Sequence, residues 1–452
     1  MMAGPPAEEP MEQPADMGTA TAVLRRRWWY LLPAVFVTYS LAYLDRANYG
    51  LGAAAGLATT LHITGEQNSL LGALFFLGYF AFQVPGTALL GKRSPVRMIF
   101  VTLMLWGVLA ALTGVIRTFW ALALDRFLLG VAESCIFPAM LLLLTRWFTR
   151  RERSRANTLL IAANPLTVLW MSVITGYLIE AFGWRRTFIY EGLPALAWAV
   201  IWIAVVRDWP AQARWMTPDA TAQLESRLEE EQRTVAPVKG IRTALLRGDV
   251  LLLSAVYFFW SLGIYGFVLW LPTIVRRGAE LSMGATGLFS AIPYLVGTLL
   301  MLMAAHRSDR TLRRKIMVWP FLLVAGIALW SSFLFANSSF ALAFAGLIVA
   351  GGCMYAPYGP FFAMVPERVP RTATAEVLAL INSAGALGAF AGSYFVGWLQ
   401  AVTGNARAGY LLMAGALVLS AGLMLLLEEK QPQQSGVARD NEAYNAYERL
   451  ES

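Results

Sequence analysis

Two adjacent charges, Asp45 and Arg46, interrupt an apolar stretch over residues 28–56 that is long enough to cross a bilayer. A charge near the membrane centre costs roughly 2.5–3.5 kcal/mol even on the lenient insertion scale, so such residues mark pathways by default. A second pair, Arg126 and Glu133, stands in the fourth apolar segment. Seven residues make two helical turns, which puts this pair on one face about 10 Å apart along the axis. Asp45 and Arg46 lie roughly 100° apart around their helix, so they point differently while both can border a cavity. The chemistry these types support is recognition of an anion and carriage of a proton. Arginine stays charged at any working pH and its planar fork matches a carboxylate, which makes Arg46 and Arg126 candidate substrate anchors. A carboxyl in a low-dielectric cavity favours its protonated form, which makes Asp45 and Glu133 candidate proton carriers. The competing reading makes Asp45 with Arg126, or Arg46 with Glu133, fixed ion pairs that hold helices together.

Other polar residues in apolar segments could hydrogen-bond substrate hydroxyls. Tyr79 and Gln83 are one turn apart in the second segment, Asn164 precedes Pro165 in the fifth, and Asn382 and Ser383 sit in the small-residue eleventh. Such residues also bind neighbouring helices. In the seventh segment Tyr265 stands beside Gly263 and Gly266, which permit a bend. The tenth segment holds Gly351, Gly352, Pro357, Gly359 and Pro360. Breakers that dense suggest either a kinked gating helix or a static packing kink.

These residues need a scaffold, and composition names its class. The 452-residue chain is 58% hydrophobic and only 14% charged, with a mean hydropathy of +0.55; soluble chains carry about a quarter charged residues. Continuous apolar runs of spanning length recur, and a bilayer admits only helices or closed barrels. The runs do not alternate, so the expected fold is an all-α integral membrane protein of about twelve transmembrane helices in two six-helix halves. Spans are expected to begin at Trp28, Gln67, Val96, Phe119, Ser154 and Arg185, then near Val250, Gly284, Lys315, Ser338, Thr372 and Arg407. The organisation is a disordered N-terminal tail (1–24), a first half (25–206), a cytoplasmic linker (207–249), a second half (250–428) and a disordered C-terminal tail (429–452). The linker contains ATAQLESRLEEEQRTV, which reads as a charged amphipathic helix.

Lysine and arginine set the orientation. Arg25, Arg26 and Arg27 precede the first span, Lys92, Arg93 and Arg97 join the second to the third, Arg146 to Arg155 supply five arginines between the fourth and fifth, and Arg307 to Lys315 supply another basic loop. These loops and both termini are expected in the cytoplasm. Arg185–Arg186, Arg276–Arg277 and Arg407 are exceptions on the other side. The basic loops at 86–97 and 304–315 occupy equivalent places in the two halves, the pattern of an internal repeat. The net charge of +8 is a membrane signature here and does not imply nucleic acid. Cys135 and Cys353 fit neither a disulfide framework nor a metal site.

Several strings together resemble the major facilitator superfamily and, within it, the anion:cation symporters: YLDRAN (43–48), GYFAFQVPG (78–86), RFLLGVAES (126–134), RWFTRRERSRA (146–156), GWRRTFIYEGLPA (183–195) and HRSDR (306–310). YGFVLWLP (265–272), MYAPYGPFFAMVPE (354–367) and ALINSAGALGAFAG (379–392) look most like the bacterial L-rhamnonate transporter type. The resemblance implies proton-coupled symport of a sugar-acid monoanion across the bacterial inner membrane, by a monomer in lipid and without a cofactor. It supports Tyr43, Tyr79, Asn164 and Asn382 as site-lining and gives Asp309 and Arg310 a place in a cytoplasmic gating loop; the residues themselves make Tyr265, beside its glycines, and Pro357, among its breakers, the candidate mobile points of the gate. The equivalent loop of the first half has Gly91 where the family usually carries an acid. Tartrate-like diacids and hydroxy-aromatic acids remain open as substrates. A polytopic membrane enzyme or sensor is the alternative of another class; the sequence contains no HExxH, CxxC, P-loop or dinucleotide turn to support it.

Overall fold

The computed structural model describes residues 15–90, 93–233, 245–311, 313–369 and 374–428. Its helices are α1 (Ala15–Ala54), α2 (Leu57–Thr60), α3 (Gly65–Leu90), α4 (Pro95–Val115), α5 (Phe119–Glu133), α6 (Ile136–Trp147), α7 (Arg150–Val205) and α8 (Pro218–Arg233). The second half supplies α9 (Gly248–Ala279), α10 (Met283–Thr311), α11 (Trp319–Phe335), α12 (Phe340–Tyr355), α13 (Tyr358–Arg368), α14 (Thr374–Thr403) and α15 (Ala406–Leu426). Among the described residues nine stretches are long and apolar enough to cross a membrane by length and composition. One of them, Ala163–Val205, divides into two at Gly183, where φ 75° and ψ 158° leave the helical region. Only glycine adopts that conformation without strain. Adding α1 and α3 gives twelve spans, six on each side of α8.

Local signals set the helix starts. Ser94 accepts the Arg97 amide at the head of α4, with Pro95 at the first helical position, where its missing N–H costs nothing. Glu152 turns back on Thr149 to close the first turn of α7. The helix α1 begins earlier than expected, at Ala15 inside the segment read as a loose tail. No proline or glycine pair interrupts the chain between Pro14 and Pro33, so nothing stops the helix from extending beyond the apolar run. Residues 1–14 and 429–452 lie outside the described set. In the linker, α8 forms where the amphipathic helix was expected and buries Ala220 and Leu224 against the first-half core.

Two spans are broken at equivalent places. The fourth is interrupted at Ser134–Cys135 between α5 and α6, and the tenth at Ala356–Pro357 between α12 and α13. A backbone carbonyl freed inside a bilayer must find a donor; at the second break the Trp260 indole donates to the Met354 carbonyl at 2.9 Å.

The halves meet most closely on the face opposite the basic loops. There Arg276 of α9 donates to the Ala54 carbonyl of α1, Tyr394 of α14 donates to Glu66 of α3 at 3.1 Å, and Ser282 donates to Glu180 of α7 at 2.8 Å. The backbones of α7 and α10 touch at Gly287, where a Cβ would collide with the Ser172 carbonyl. Deeper in the bundle Tyr43 and Tyr265 pair at 3.2 Å, and Ser383 donates to Gln83 at 3.1 Å. Among the described residues, the ion pairs on the basic face run within halves: Arg27 with Glu152, and Arg314 with Glu367.

Candidate functional site

The site is assembled by α1, α3, α5 and α9. Its position depends on a close approach of α3 to α5. A Cβ on Gly78 would strike the Phe127 carbonyl, and one on Gly130 would strike the Phe75 carbonyl. With two glycines removing the obstacle, the backbones touch. Phe75 and Tyr79, one turn apart on α3, then face Arg126 and Glu133, two turns apart on α5.

The two arginines occupy adjoining aromatic boxes. The Arg46 guanidinium lies 4.8 Å from the Tyr79 ring centre, 5.2 Å from Tyr43 and 5.4 Å from Phe75. Arg126 lies 4.7 Å from Tyr49 and 5.5 Å from Phe75. Phe75 therefore touches both cations. Each desolvated contact of this kind contributes about 2 kcal/mol, which offsets part of the cost of burying the charges. Arg46 Nε also donates to Glu133 Oε2 at 3.1 Å, and the Glu133 side chain is 0% exposed. The structure thus joins Glu133 to Arg46 across two helices rather than to Arg126 along its own. Arg126 is 1% exposed, and its Nε and Nη1 make no hydrogen bond.

Arg46, Arg126, Tyr49, Phe75, Phe76, Tyr265 and Ser393 line a central cavity of about 10 Å³, with Gly72, Val268 and Leu269 completing its wall. That is room for about one water molecule.

The remaining expected site residues fall around this centre. Tyr43 and Tyr265 bridge the halves, and Gln83 with Ser383 forms a second bridge. Tyr79 presents its ring to Arg46. Asn164 lies beside Tyr39, with its Oδ1 buried and making no hydrogen bond. Asn382 is half-buried next to Ser383. Pro357 stands at the break of the tenth span. Asp45 and Asp309 belong to α1 and α10 by backbone, and their side chains lie outside the described set; Arg310 is exposed at the end of α10.

Sequence reasoning passed over Glu191. It is 5% exposed in the sixth span and accepts from Asn48 Nδ2 at 2.9 Å and Thr175 Oγ1 at 2.5 Å. The signal was available: an acid in an apolar span, the same anomaly that marked Glu133. Asp125 is likewise buried in a span and accepts from Thr113 at 2.7 Å. Tyr49 and Phe75 carried no signal, because an aromatic in an all-round apolar helix looks like core. Among the described residues no group of three or more His, Cys, Asp or Glu is placed to hold a metal.

Comparison with known proteins adds to this geometry. The model of the Major Facilitator Superfamily matches residues 35–393, and matches 279–443 a second time. A "Putative tartrate transporter" of Agrobacterium vitis is 32% identical over 426 residues, covering 92% of this chain and 97% of that protein. The "Inner membrane transport protein RhmT" of Escherichia coli K12 is 29% identical over 414 residues, covering 90% and 95%. Among solved structures, a bacterial homologue of the human lysosomal transporter Spinster, in an inward-facing and occupied conformation, superposes with a TM-score of 0.72 at 16% identity, over 88% of this chain and 96% of that one.

Proposed function

This chain belongs to the Major Facilitator Superfamily and is a multi-pass membrane transporter rather than an enzyme, and from that premise we propose that it carries an organic anion into the cytoplasm together with protons. The observation that carries this reading is Arg126. A guanidinium buried in an aromatic-walled site with two nitrogens making no hydrogen bond has forgone several kcal/mol of solvation. A carboxylate entering the cavity beside it supplies both the counter-charge and the acceptors. Arg46 stands next to it as a second anchor whose charge is balanced by Glu133.

The cavity is too small for any organic acid, so the halves must part to admit one. The ties at Arg276–Ala54, Glu66–Tyr394 and Glu180–Ser282 hold the face opposite the basic loops. Parting therefore begins on the basic face, which the positive-inside rule assigns to the cytoplasm along with both termini and the linker. Alternating access then exchanges one closed face for the other. In this cycle Arg46 and Arg126 hold the carboxylate, and Tyr43, Tyr79, Gln83, Asn164, Asn382 and Ser383 line its path. Asp45 and Glu133 load and release protons. Asp309 and Arg310 act in the gate on the basic face, and Tyr265 and Pro357 are its moving points. The protein works as a monomer in the bacterial inner membrane.

The first substrate reading is a sugar acid such as L-rhamnonate, a monoanion rich in hydroxyls. A tartrate-like diacid is the second, and the similarity to a relative named for tartrate favours it. Charge counting separates them. With Glu133 ionised, the Arg46–Arg126–Glu133 group carries one positive charge and suits one carboxylate. With Glu133 protonated it carries two and suits a diacid. The test is uptake and thermal-shift screening of the purified protein against aldonates, tartrates and hydroxy-aromatic acids, repeated with Arg126→Ala. A folded Arg126→Ala protein that keeps parental affinity for the transported acid would overturn the assignment.

A further inference from the structure

Arg276 and Arg277 end α9 on the face that the positive-inside rule keeps poor in cations, so topology gives no reason for them. Together with Glu280, Thr59 and Thr273 they line a cavity of about 430 Å³ between the end of α9 and the turn after α1. A last-turn arginine is favourable at any helix C-terminus. That does not account for Arg276, whose guanidinium reaches across to the other half and donates to Ala54, one of the terminal carbonyls of α1. Its neighbour Arg277 is exposed. The cavity is within the size range of small-molecule sites. Two guanidinium groups against the one carboxylate of Glu280 leave it net positive, and two threonine hydroxyls stand in its wall.

We infer that this cavity is an outer docking vestibule for the transported carboxylate, with Arg277 as its first contact and Arg276 as a latch. The inference rests on the organic-anion reading and on the basic loops facing the cytoplasm. An anion held by Arg277 lies beside Arg276 and competes with the Ala54 carbonyl for its N–H groups. Arrival of substrate thereby weakens a tie that keeps the outer face shut. A helix-terminal carbonyl is a weaker acceptor than a carboxylate, so the exchange favours release. Occupancy of the vestibule and opening of the outer face are coupled through one side chain.

The experiment uses the full chain in oriented proteoliposomes, with labelled L-tartrate and L-rhamnonate as probes. Arg277→Gln should raise the influx KM roughly three- to tenfold, and raise it more than the half-saturation for efflux. It should also flatten the fall of influx kcat/KM between low and physiological salt, since exposed charges are screened over about 10 Å at 0.1 M. Arg277→Lys should restore most of the salt dependence. Arg276→Gln should increase labelling from outside of Ser393→Cys, a buried position in the central cavity wall, in the absence of anion. Parental protein that transports a probe while Arg277→Gln keeps its influx KM and salt slope would overturn the vestibule alone. Parental protein that transports no organic acid at all would overturn the organic-anion reading, and the vestibule with it.

Discussion

Replacing Glu133 by glutamine tests whether the central ion pair is machinery or mortar. Glu133 is wholly buried and 3.1 Å from Arg46 Nε. At an effective dielectric near 20, two unit charges about 4 Å apart attract by about 4 kcal/mol. Deleting one partner of a buried pair costs about 3–5 kcal/mol. Glutamine removes the charge and keeps an acceptor for Arg46, so Glu133→Gln should lose less stability than Arg46→Ala. It also fixes the site in a proton-loaded charge state, with both guanidiniums available to an anion. The variant should bind substrate at least as tightly as the parent and exchange labelled for unlabelled substrate across a vesicle. It should fail to accumulate substrate against a gradient. In the parent, one proton per monoanion turns a pH step of about one unit into about tenfold accumulation; the variant should stay near an even distribution. Counterflow beside proton-driven uptake in proteoliposomes measures both. A second variant separates the two roles. Arg46→Met with Glu133→Leu swaps the pair for apolar side chains, a change often neutral or stabilising by about 1–4 kcal/mol. A pair that only holds helices together would leave this double variant transporting. Accumulation against the gradient equal to the parent's, by Glu133→Gln or by the double variant, would refute the proton role.

Arg126→Lys replaces a fork with a point charge and should weaken substrate binding about ten- to a hundredfold, the worth of a hydrogen bond to a charged group, as read by titration calorimetry. Gly130→Leu should force α3 from α5 and cost about 1–3 kcal/mol or more by overpacking; a lower Tm in detergent together with lost substrate affinity checks it, and lost Tm with intact affinity would remove Gly130 from the site's scaffold. Asp309→Asn should slow turnover while sparing equilibrium affinity, compared by steady-state uptake and binding; equal loss of both would make it a folding defect.

The scaffold was legible because hydropathy reports it directly: span starts, the halves and the helix in the linker all follow from where apolar runs stop. Intramembrane charges were legible for the same reason, since their cost is large against a uniform background. Pairing was not. The seven-residue spacing of Arg126 and Glu133 shows that they share a face, but it cannot show that α1 brings Arg46 closer to Glu133 than Arg126 can come. That contact is tertiary, as is the close approach of α3 to α5 at Gly78 and Gly130 beside it. The break in the fourth span was missed for a related reason. Its marks, Gly130 and Pro138, are sparse, whereas the tenth span carries glycines and prolines in clusters.

Glu191 also sharpens the choice of coupling acid. Three acids with described side chains are buried in the spans of the first half. Asp125 of α5 accepts from Thr113 of α4, and Glu191 accepts from Asn48 of α1 and Thr175 earlier in α7. Those bonds tie helices of one half to each other. Alternating access moves the halves largely as rigid bodies, so a proton arriving at Asp125 or Glu191 would loosen a body that must stay intact. Glu133 differs in what it holds. Its partner Arg46 lines the central cavity, and its own helix ends at Glu133, where the fourth span breaks. On the proposed coupling, protonating Glu133 would release a guanidinium toward the cavity and spare the ties of Asp125 to Thr113 and of Glu191 to Asn48 and Thr175. A proton carrier must be felt by the substrate and not by the scaffold. Glu133 is bonded to Arg46, a residue of the cavity wall.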